Sequence, residues 1–191
     1  MSYIQIEEIG GESLSRAIKV LEGIPGGAHR AAYSALKRAG ETAKTKAGQF
    51  AAAEYTITKG TFMSKVDTQT KLSGSISSGS LTMSIRYAGS VLPLLTFNTK
   101  YSRGGQLQTQ VKRNGGGGTL QHAFVASIFG PLAVFERVGT PRFPVEQKFG
   151  PSTAQMMKND SVIEQMDETI RETYEMRMEH EINRILNGWG G

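Results

Sequence analysis

The sequence predicts an α+β fold, in which a mostly antiparallel β-sheet has two long helices packed beside it. Two long segments, residues 28–52 and 161–187, repeat small or apolar residues every three or four positions, which is the spacing of one helix face. The segments between them are short runs of alternating polarity, separated by glycine and proline. The length of 191 residues fits one domain. We expect a body over residues 1–159 and an amphipathic helix with a tail over residues 160–191.

The first elements are predicted to be short. Tyr3–Ile9 has the composition of a strand, and two glycines end it. A helix is predicted over Glu12–Glu22, because apolar residues recur there on one face. That face contains Leu14, Ala17, Ile18 and Leu21.

A long alanine-rich helix is predicted over Ala28–Ala52. Its small side chains would allow a neighbouring backbone to approach closely. These side chains are Ala28, Ala32, Ala35, Ala39, Ala43 and Ala47. The opposite face carries Arg30, Lys37, Arg38, Lys44 and Lys46. Such a basic face is either solvated or in contact with nucleic-acid phosphates, and the sequence leaves both interpretations open.

The middle of the chain is predicted to form strands. Lys71–Tyr87 has the pattern of a β-hairpin, and its second half alternates so that Leu81, Met83 and Ile85 face the core. Val91–Leu95 follows, and its proline places it at a sheet edge or in a turn.

Residues 98–118 are predicted to form a glycine-rich basic hairpin. The segment has six glycines, four basic residues and no acidic residue. Because glycine loses much backbone entropy on ordering, we expect this hairpin to project from the body and to become ordered against a partner. The alternative, a dispensable surface loop, stays open.

Three further strands are predicted at Leu120–Ile128, Leu132–Arg137 and Arg142–Phe149. The segment Phe135–Val145 combines an apolar run, interspersed charges and two prolines, and a Gly-Pro turn follows at Gly150. This combination indicates a shaped docking segment without catalytic groups.

The final helix is predicted from a capping box, Ser161-Val162-Ile163-Glu164, followed by a stripe that repeats every four residues. The stripe contains Val162, Met166, Ile170, Tyr174, Met178, Ile182 and Leu186, and Ile163 and Ile185 widen it. Beyond the Asn187-Gly188 stop, Trp189 is either part of a frayed tail or an anchor in a neighbouring subunit.

Charge divides the chain strongly. The net charge of +5 results from +10 over residues 1–159 and −5 over residues 160–191. The two halves are either solvated faces of one monomer or complementary surfaces in head-to-tail contact between identical subunits.

Several classes of enzyme are disfavoured. The chain has no cysteine, and its three histidines do not have the spacing of metal ligands. Neither a P-loop nor a nucleophile elbow is present. The N-terminus lacks a basic leader, and no run reaches the ~20 apolar residues of a membrane span. We therefore expect a soluble cytoplasmic product that is not an enzyme, has no cofactor and makes no membrane contact.

Three pieces of the chain, in this order, resemble the minor tail protein Z group of bacteriophage tail completion proteins. The first is Ala31-Ala32-Tyr33-Ser34-Ala35-Leu36-Lys37-Arg38-Ala39, which runs into Tyr55-Thr56-Ile57-Thr58. The second is Leu81–Ile85 followed by Val91–Phe97. The third is Phe124–Ala126, Val134–Gly139, Arg142–Val145 and Gly150–Ser152.

The resemblance implies a virion structural protein of a long-tailed bacteriophage, assembled in the host cytoplasm. It implies a homo-oligomeric ring, expected to be a hexamer, at the head-proximal end of the tail. Its partners would be the tail tube protein and the head connector or neck proteins. Transient DNA contact in the lumen stays open, and a DNA-binding accessory protein is the alternative function. The expected partner-binding residues are Lys100, Arg103, Lys112, Arg113, Phe135, Arg137, Arg142, Leu186 and Trp189.

Overall fold

The computed structural model describes residues 2–8, 12–75, 80–115 and 117–188, and it has the predicted α+β fold. Trp189 lies outside these residues. The helices are α1 (Glu12–Val20), α2 (Gly27–Glu54), α3 (Lys59–Lys65), α4 (Thr153–Met156) and α5 (Asp160–Leu186). No described helix is long and apolar enough to cross a membrane.

The strands belong to four small antiparallel sheets. They are β1 (Ser2–Glu8), β2 (Asp67–Ser75), β3 (Ser80–Ala88), β4 (Val91–Pro93), β5 (Asn98–Tyr101), β6 (Leu107–Gln110), β7 (Gly118–Leu120), β8 (Ala123–Ala126), β9 (Ala133–Arg137), β10 (Val145–Gln147) and β11 (Phe149–Ser152). The sheet orders are β1-β3-β2, β10-β9-β8, β11-β4 and β5-β6-β7. Most strands after β3 are only three or four residues long, because glycine and proline interrupt the chain so often.

Backbone contacts divide the chain into two compact units. The first, called the helical unit below, comprises Met1–Ala47, Asp67–Tyr87 and Ile163–Gly191. The second, called the sheet unit below, comprises Gly48–Val66 and Ala88–Val162.

The helical unit is built on the packing of α2 against α5. The predicted alanine face of α2 is confirmed except at its first member, since Ala28 is partly exposed whereas Ala32, Ala35, Ala39, Ala43 and Ala47 are fully buried. Glycine continues this face, because a Cβ on Gly40 would lie 2.2 Å from the Met83 sulfur. The small residues therefore let bulky side chains approach the helix backbone, as in close-packed protein interiors.

The stripe of α5 is confirmed along most of the helix. Its members from Val162 to Ile182 are all buried. The last member is different, because Leu186 is 49% exposed and Ile185 is 4% exposed. A four-residue repeat advances about 40° per step around an α-helix. By the last turn the stripe has therefore moved away from the core, and Ile185 faces the core instead of Leu186.

The predicted N-terminus of α5 needs correction. The helix begins at Asp160, and the side-chain oxygen of Asn159 accepts a hydrogen bond from Ser161 N at 3.1 Å. Another capping box begins α4. There Ser152 Oγ accepts from Gln155 N at 3.1 Å, and Gln155 Oε1 accepts from Ser152 N at 2.8 Å. The Ser-x-x-Glu/Gln pattern occurs twice in this region, and a local pattern does not decide which copy starts a helix.

The first strand and helix lie close to their predicted positions. β1 pairs with β3 from Ser2↔Tyr87 to Glu8↔Leu81. On β3, the predicted core residues Leu81, Met83 and Ile85 are buried. On α1, Ile18 is 45% exposed, contrary to the prediction. The buried face of so short a helix is narrow, and Leu14 and Ala17 occupy it.

In the sheet unit, backbone hydrogen bonds join the short strands and turns around a buried core. Lys148 N donates to Val134 O at 2.8 Å, and Leu94 N donates to Lys148 O at 3.3 Å. These bonds connect the β8-β9-β10 sheet to the 3₁₀ turn Leu94–Thr96. Gly150 lies against Phe97, since a Cβ there would be 2.3 Å from a ring carbon. The predicted strand Leu120–Ile128 is interrupted at His122, whose φ is +63°.

The glycine-rich basic segment is a three-stranded sheet of β5, β6 and β7, with Leu107 1% exposed. The turn at residues 103–106, at the end of the sheet opposite the glycine run, is exposed. The glycine end is anchored to the end of α2, where Thr56 N donates to Val111 O at 2.9 Å and Arg113 N donates to Glu54 O at 2.8 Å. The carbonyls of the last helical turn lack intrahelical partners, and the Arg113 amide supplies one for Glu54.

Candidate interaction surface

The charge of the chain is concentrated in the sheet unit. This unit has ten basic and four acidic residues, a net charge of +6, whereas the helical unit has twelve basic and thirteen acidic residues, a net charge of −1. The acidic residues of α5 thus share a unit with the basic residues of α2. The positive charge that remains unbalanced lies on the small sheets and their loops.

Among the described residues, one of the ten cations in the sheet unit has a salt bridge. Lys148 Nζ lies 2.5 Å from Glu136 Oε2, and this hydrogen bond raises the pKa of Lys148. The other nine have no carboxylate within 4.0 Å in the described part of the chain. They are Lys59, Lys65, Lys100, Arg103, Lys112, Arg113, Arg137, Arg142 and Lys158. Cations without a salt bridge retain a charge that can attract external anions.

The loop between β9 and β10, residues 137–144, is called the cationic loop below. Val138 N donates to Pro144 O at 3.2 Å and closes it. Arg137 is positioned by Phe124, because its guanidinium carbon lies 4.7 Å from the centre of that ring. The Arg142 guanidinium carbon is 5.9 Å from the Phe143 ring centre. Such cation–π contacts restrict a guanidinium group without neutralising its charge.

An open cleft of about 700 Å³ lies at the cationic loop. Its lining residues are His122, Arg137, Val138, Gly139, Thr140 and Arg142. Two guanidinium groups and a hydroxyl are donors suited to carboxylate or phosphate oxygens. No carboxylate of the described residues lines the cleft.

Apolar side chains are exposed beside these donors. Val138 is 58% exposed and Phe143 is 59% exposed. Phe129 and Leu132, exposed by 75% and 61%, lie in the β8–β9 turn at the opposite end of β9. Large apolar residues next to unpaired arginines are typical of protein interfaces, where arginine and aromatic residues are enriched.

The four predicted hairpin residues divide into two pairs. Arg113 Nε donates to Ala52 O at 2.7 Å, and Lys112 Nζ lies 5.9 Å from the Tyr55 ring centre. These two therefore help to fasten the hairpin to α2. Lys100 and Arg103 are exposed without such contacts among the described residues.

The remaining predicted residues lie in different environments. Phe135 is 1% exposed, and its ring centre is 6.2 Å from that of Phe124 and 5.8 Å from that of Phe129. It is a core residue and not a surface contact, because Ala133, Val134 and Phe135 are buried one after another on β9. Leu186 is half exposed on α5. Sequence reasoning missed His122, which has no distinctive spacing and lies beside the loop only because β8 pairs with β9.

In the helical unit, α5 presents an acidic strip. Glu164, Asp167, Glu168, Glu172 and Glu175 are exposed, and the described residues offer none of them a salt bridge. Glu179 pairs with Arg16 of α1, and Glu181 pairs with Arg184 at 2.8 Å. Met176 is 64% exposed beside the strip.

No three histidine, aspartate or glutamate side chains in the described part of the chain are grouped to hold a metal ion. Comparisons with protein families, with curated proteins and with solved structures found no match for this chain. The geometry of the surfaces is therefore the main guide to function.

Proposed function

We propose that this chain is a structural subunit at the head-proximal end of a long bacteriophage tail. In this role it forms a homo-oligomeric ring that completes the tail tube and joins it to the head connector. The proposal rests on the ordered motifs that resemble tail completion proteins, together with one structural observation. That observation is the cationic loop, which presents two unpaired arginines and two exposed apolar residues.

The loop is suited to docking because of its chemistry. Its guanidinium groups can bind carboxylates in a two-pronged geometry, and Val138 and Phe143 can bury apolar area against a protein. A surface of this kind supports binding to acidic protein partners, such as neighbouring subunits in a virion.

Removing the protein from the phage that encodes it tests the proposal. Phage carrying a stop codon in the gene should yield heads and tails that fail to join, or tails of irregular length, in electron micrographs. The wild-type gene supplied in trans should restore joined particles. Tails of normal length that join heads without the protein would refute the proposal.

A second candidate, DNA binding, is favoured by the nine cations without salt bridges among the described residues of the sheet unit. Phosphate contacts make the binding constant fall steeply with salt. Lys100→Gln combined with Arg103→Gln should reduce the slope of that dependence by about 2 if both contact phosphates. Absence of binding to duplex DNA at low salt would eliminate this candidate.

A further inference from the structure

We infer that the cationic loop of one copy docks on the acidic strip of α5 in a second copy. The inference rests on the proposed function, because it names the contact by which subunits of the ring would join. It specifies a head-to-tail interface between two different surfaces of the same chain.

The loop contributes the positive partner. Arg137 and Arg142 line one cleft, no described carboxylate pairs with either, and Arg137 is held over a ring. Because the guanidinium plane is already restricted, less rotamer entropy is lost when it binds a carboxylate.

The strip contributes the negative partner. Residues 168, 172 and 175 are four and seven positions apart, so Glu168, Glu172 and Glu175 lie on one side of α5. All three are exposed and lack a salt bridge among the described residues. The exposed Arg171 lies beside them and offsets part of their mutual repulsion, and three carboxylates against one guanidinium still leave this side of α5 with a net negative charge.

The two surfaces also present exposed apolar residues that can pack against each other. Met176 follows the strip directly and is 64% exposed, and Phe143 follows Arg142 in the loop and is 59% exposed. A thioether sulfur packs favourably against an aromatic ring. Burial of this pair would add an apolar centre to the charged contact, which is the usual arrangement of an interface.

The apolar residues favour a protein over a nucleic acid as the occupant of the loop. A phosphate backbone would satisfy the arginines but leave Val138 and Phe143 without partners. The second copy supplies both carboxylates and an apolar residue. Because the two surfaces differ, repeated contacts produce a closed ring when the rotation permits.

Charge reversal tests the pairing. We would make a loop variant, Arg137→Glu with Arg142→Glu, and a helix variant, Glu172→Arg with Glu175→Arg. Each should weaken self-association at least about tenfold in analytical ultracentrifugation, because like charges then face each other. A chain carrying all four substitutions should return to within about threefold of the wild-type association constant, since the attraction is restored in the opposite sense. Circular dichroism would verify that each variant is folded.

Lys59→Glu with Lys158→Glu is the matched control. It changes the net charge as much as the loop variant does, and both lysines are exposed residues of the sheet unit outside the loop. Its self-association should equal that of the wild type. Loss of association in this control, or failure of the fourfold variant to recover, would overturn the proposed pairing.

Disulfide trapping gives a second test, because the chain has no cysteine of its own. A chain with Phe143→Cys and Met176→Cys should form a ladder of cross-linked oligomers on mild oxidation. Each single variant should stop at dimers at most, since it has one thiol. An equal mixture of the two single variants should give one mixed dimer. No ladder from the double variant would overturn the inference.

The outcomes separate this inference from the proposed function. If the loop variant self-associates normally but loses DNA binding, the loop is a phosphate site and the inference is wrong. If neither variant changes association while tails still require the protein, the inference fails and the proposed function stands. If the contact is verified but tails join heads without the protein, the proposed function fails and the inference stands.

Discussion

The helical unit and the sheet unit differ in what holds them together. In the helical unit, two long helices pack together, with buried alanines on α2 and buried methionines and isoleucines on α5. In the sheet unit, short strands and loops are joined by backbone hydrogen bonds around a smaller group of buried residues. The charges also differ, since one unit is nearly neutral and the other has a net charge of +6.

This difference between the units indicates which substitutions should affect stability and which should affect binding. Packing of long helices depends on side-chain volume, so core substitutions should be costly in the helical unit. Short strands fixed by backbone bonds leave many side chains outside the core, and these are free to contact partners. Substitutions of exposed residues in the sheet unit should therefore change binding more than folding.

The largest expected effect concerns the last turn of α5. Ile185→Asp should lower the free energy of unfolding by about 4 kcal/mol or more, because it places an unpaired charge in the core. Leu186→Asp is the matched control and should change it by less than about 0.5 kcal/mol, since Leu186 is 49% exposed. Urea unfolding measures both. Equal effects would show that the end of α5 frays and that its burial pattern is not maintained.

A smaller loss is expected in the sheet unit from Gly150→Ala. The new Cβ would lie 2.3 Å from a Phe97 ring carbon, so the ring must move, at a cost of about 1–3 kcal/mol. Gly139→Ala in the cationic loop is the control, because its closest neighbour is a Pro141 carbon at 3.5 Å. Hydrogen exchange should show the lost protection mainly within the sheet unit. Similar stabilities for the two variants would argue against the close packing of Gly150.

Ser152→Ala should lower the unfolding free energy by about 1 kcal/mol, since it removes the capping hydroxyl of α4. Ser152→Thr retains the hydroxyl and should recover most of the loss. Thermal unfolding followed by circular dichroism measures both variants. An alanine variant as stable as the wild type would mean that the capping box contributes nothing to the sheet unit.

The smallest effect at neutral pH is expected for Tyr87→Phe in the helical unit. Burial raises the pKa of Tyr87 far above its ordinary value of 10.0, and the described residues provide no hydrogen-bond partner for its hydroxyl. Because the folded-state pKa is the higher one, the wild type keeps its full stability below pH 10 and loses it as the pH rises further. The phenylalanine variant should be at least as stable as the wild type at pH 7 and should lose less of its stability above pH 10.

Urea unfolding at pH 7 and at several values above pH 10 would measure this difference. Parallel losses in the two proteins would mean that other groups control the alkaline transition.

Much of the fold could be predicted from the sequence. The extent of α2, the buried stripe of α5 and the alternation of β3 follow from periodicity, which a single segment carries by itself. Element ends were less predictable, as the start of α5 shows. Asn159 caps that helix, although the sequence from Ser161 to Glu164 also matches the capping-box pattern. Such patterns are short and recur by chance, so they do not fix the first residue of a helix.

The candidate site was predicted in part. Arg137, Arg142 and the proline-flanked segment around Phe143 were recognised from their unusual composition. His122 was not, since it comes to lie beside these residues only after β8 has paired with β9. The hairpin was identified as basic, but Lys112 and Arg113 proved to be attached to the end of α2.

The sequence by itself determined which segments are helices or strands and which of their faces are apolar, because these properties depend on neighbours a few positions away. Tertiary structure decided where the charges collect and which members of each apolar face are covered. It grouped the acids of α5 with the bases of α2, buried Ile185 in place of Leu186 and turned Phe135 into the core. The physical reason is that burial and electrostatic pairing depend on distances between remote segments, and folding alone brings those segments together.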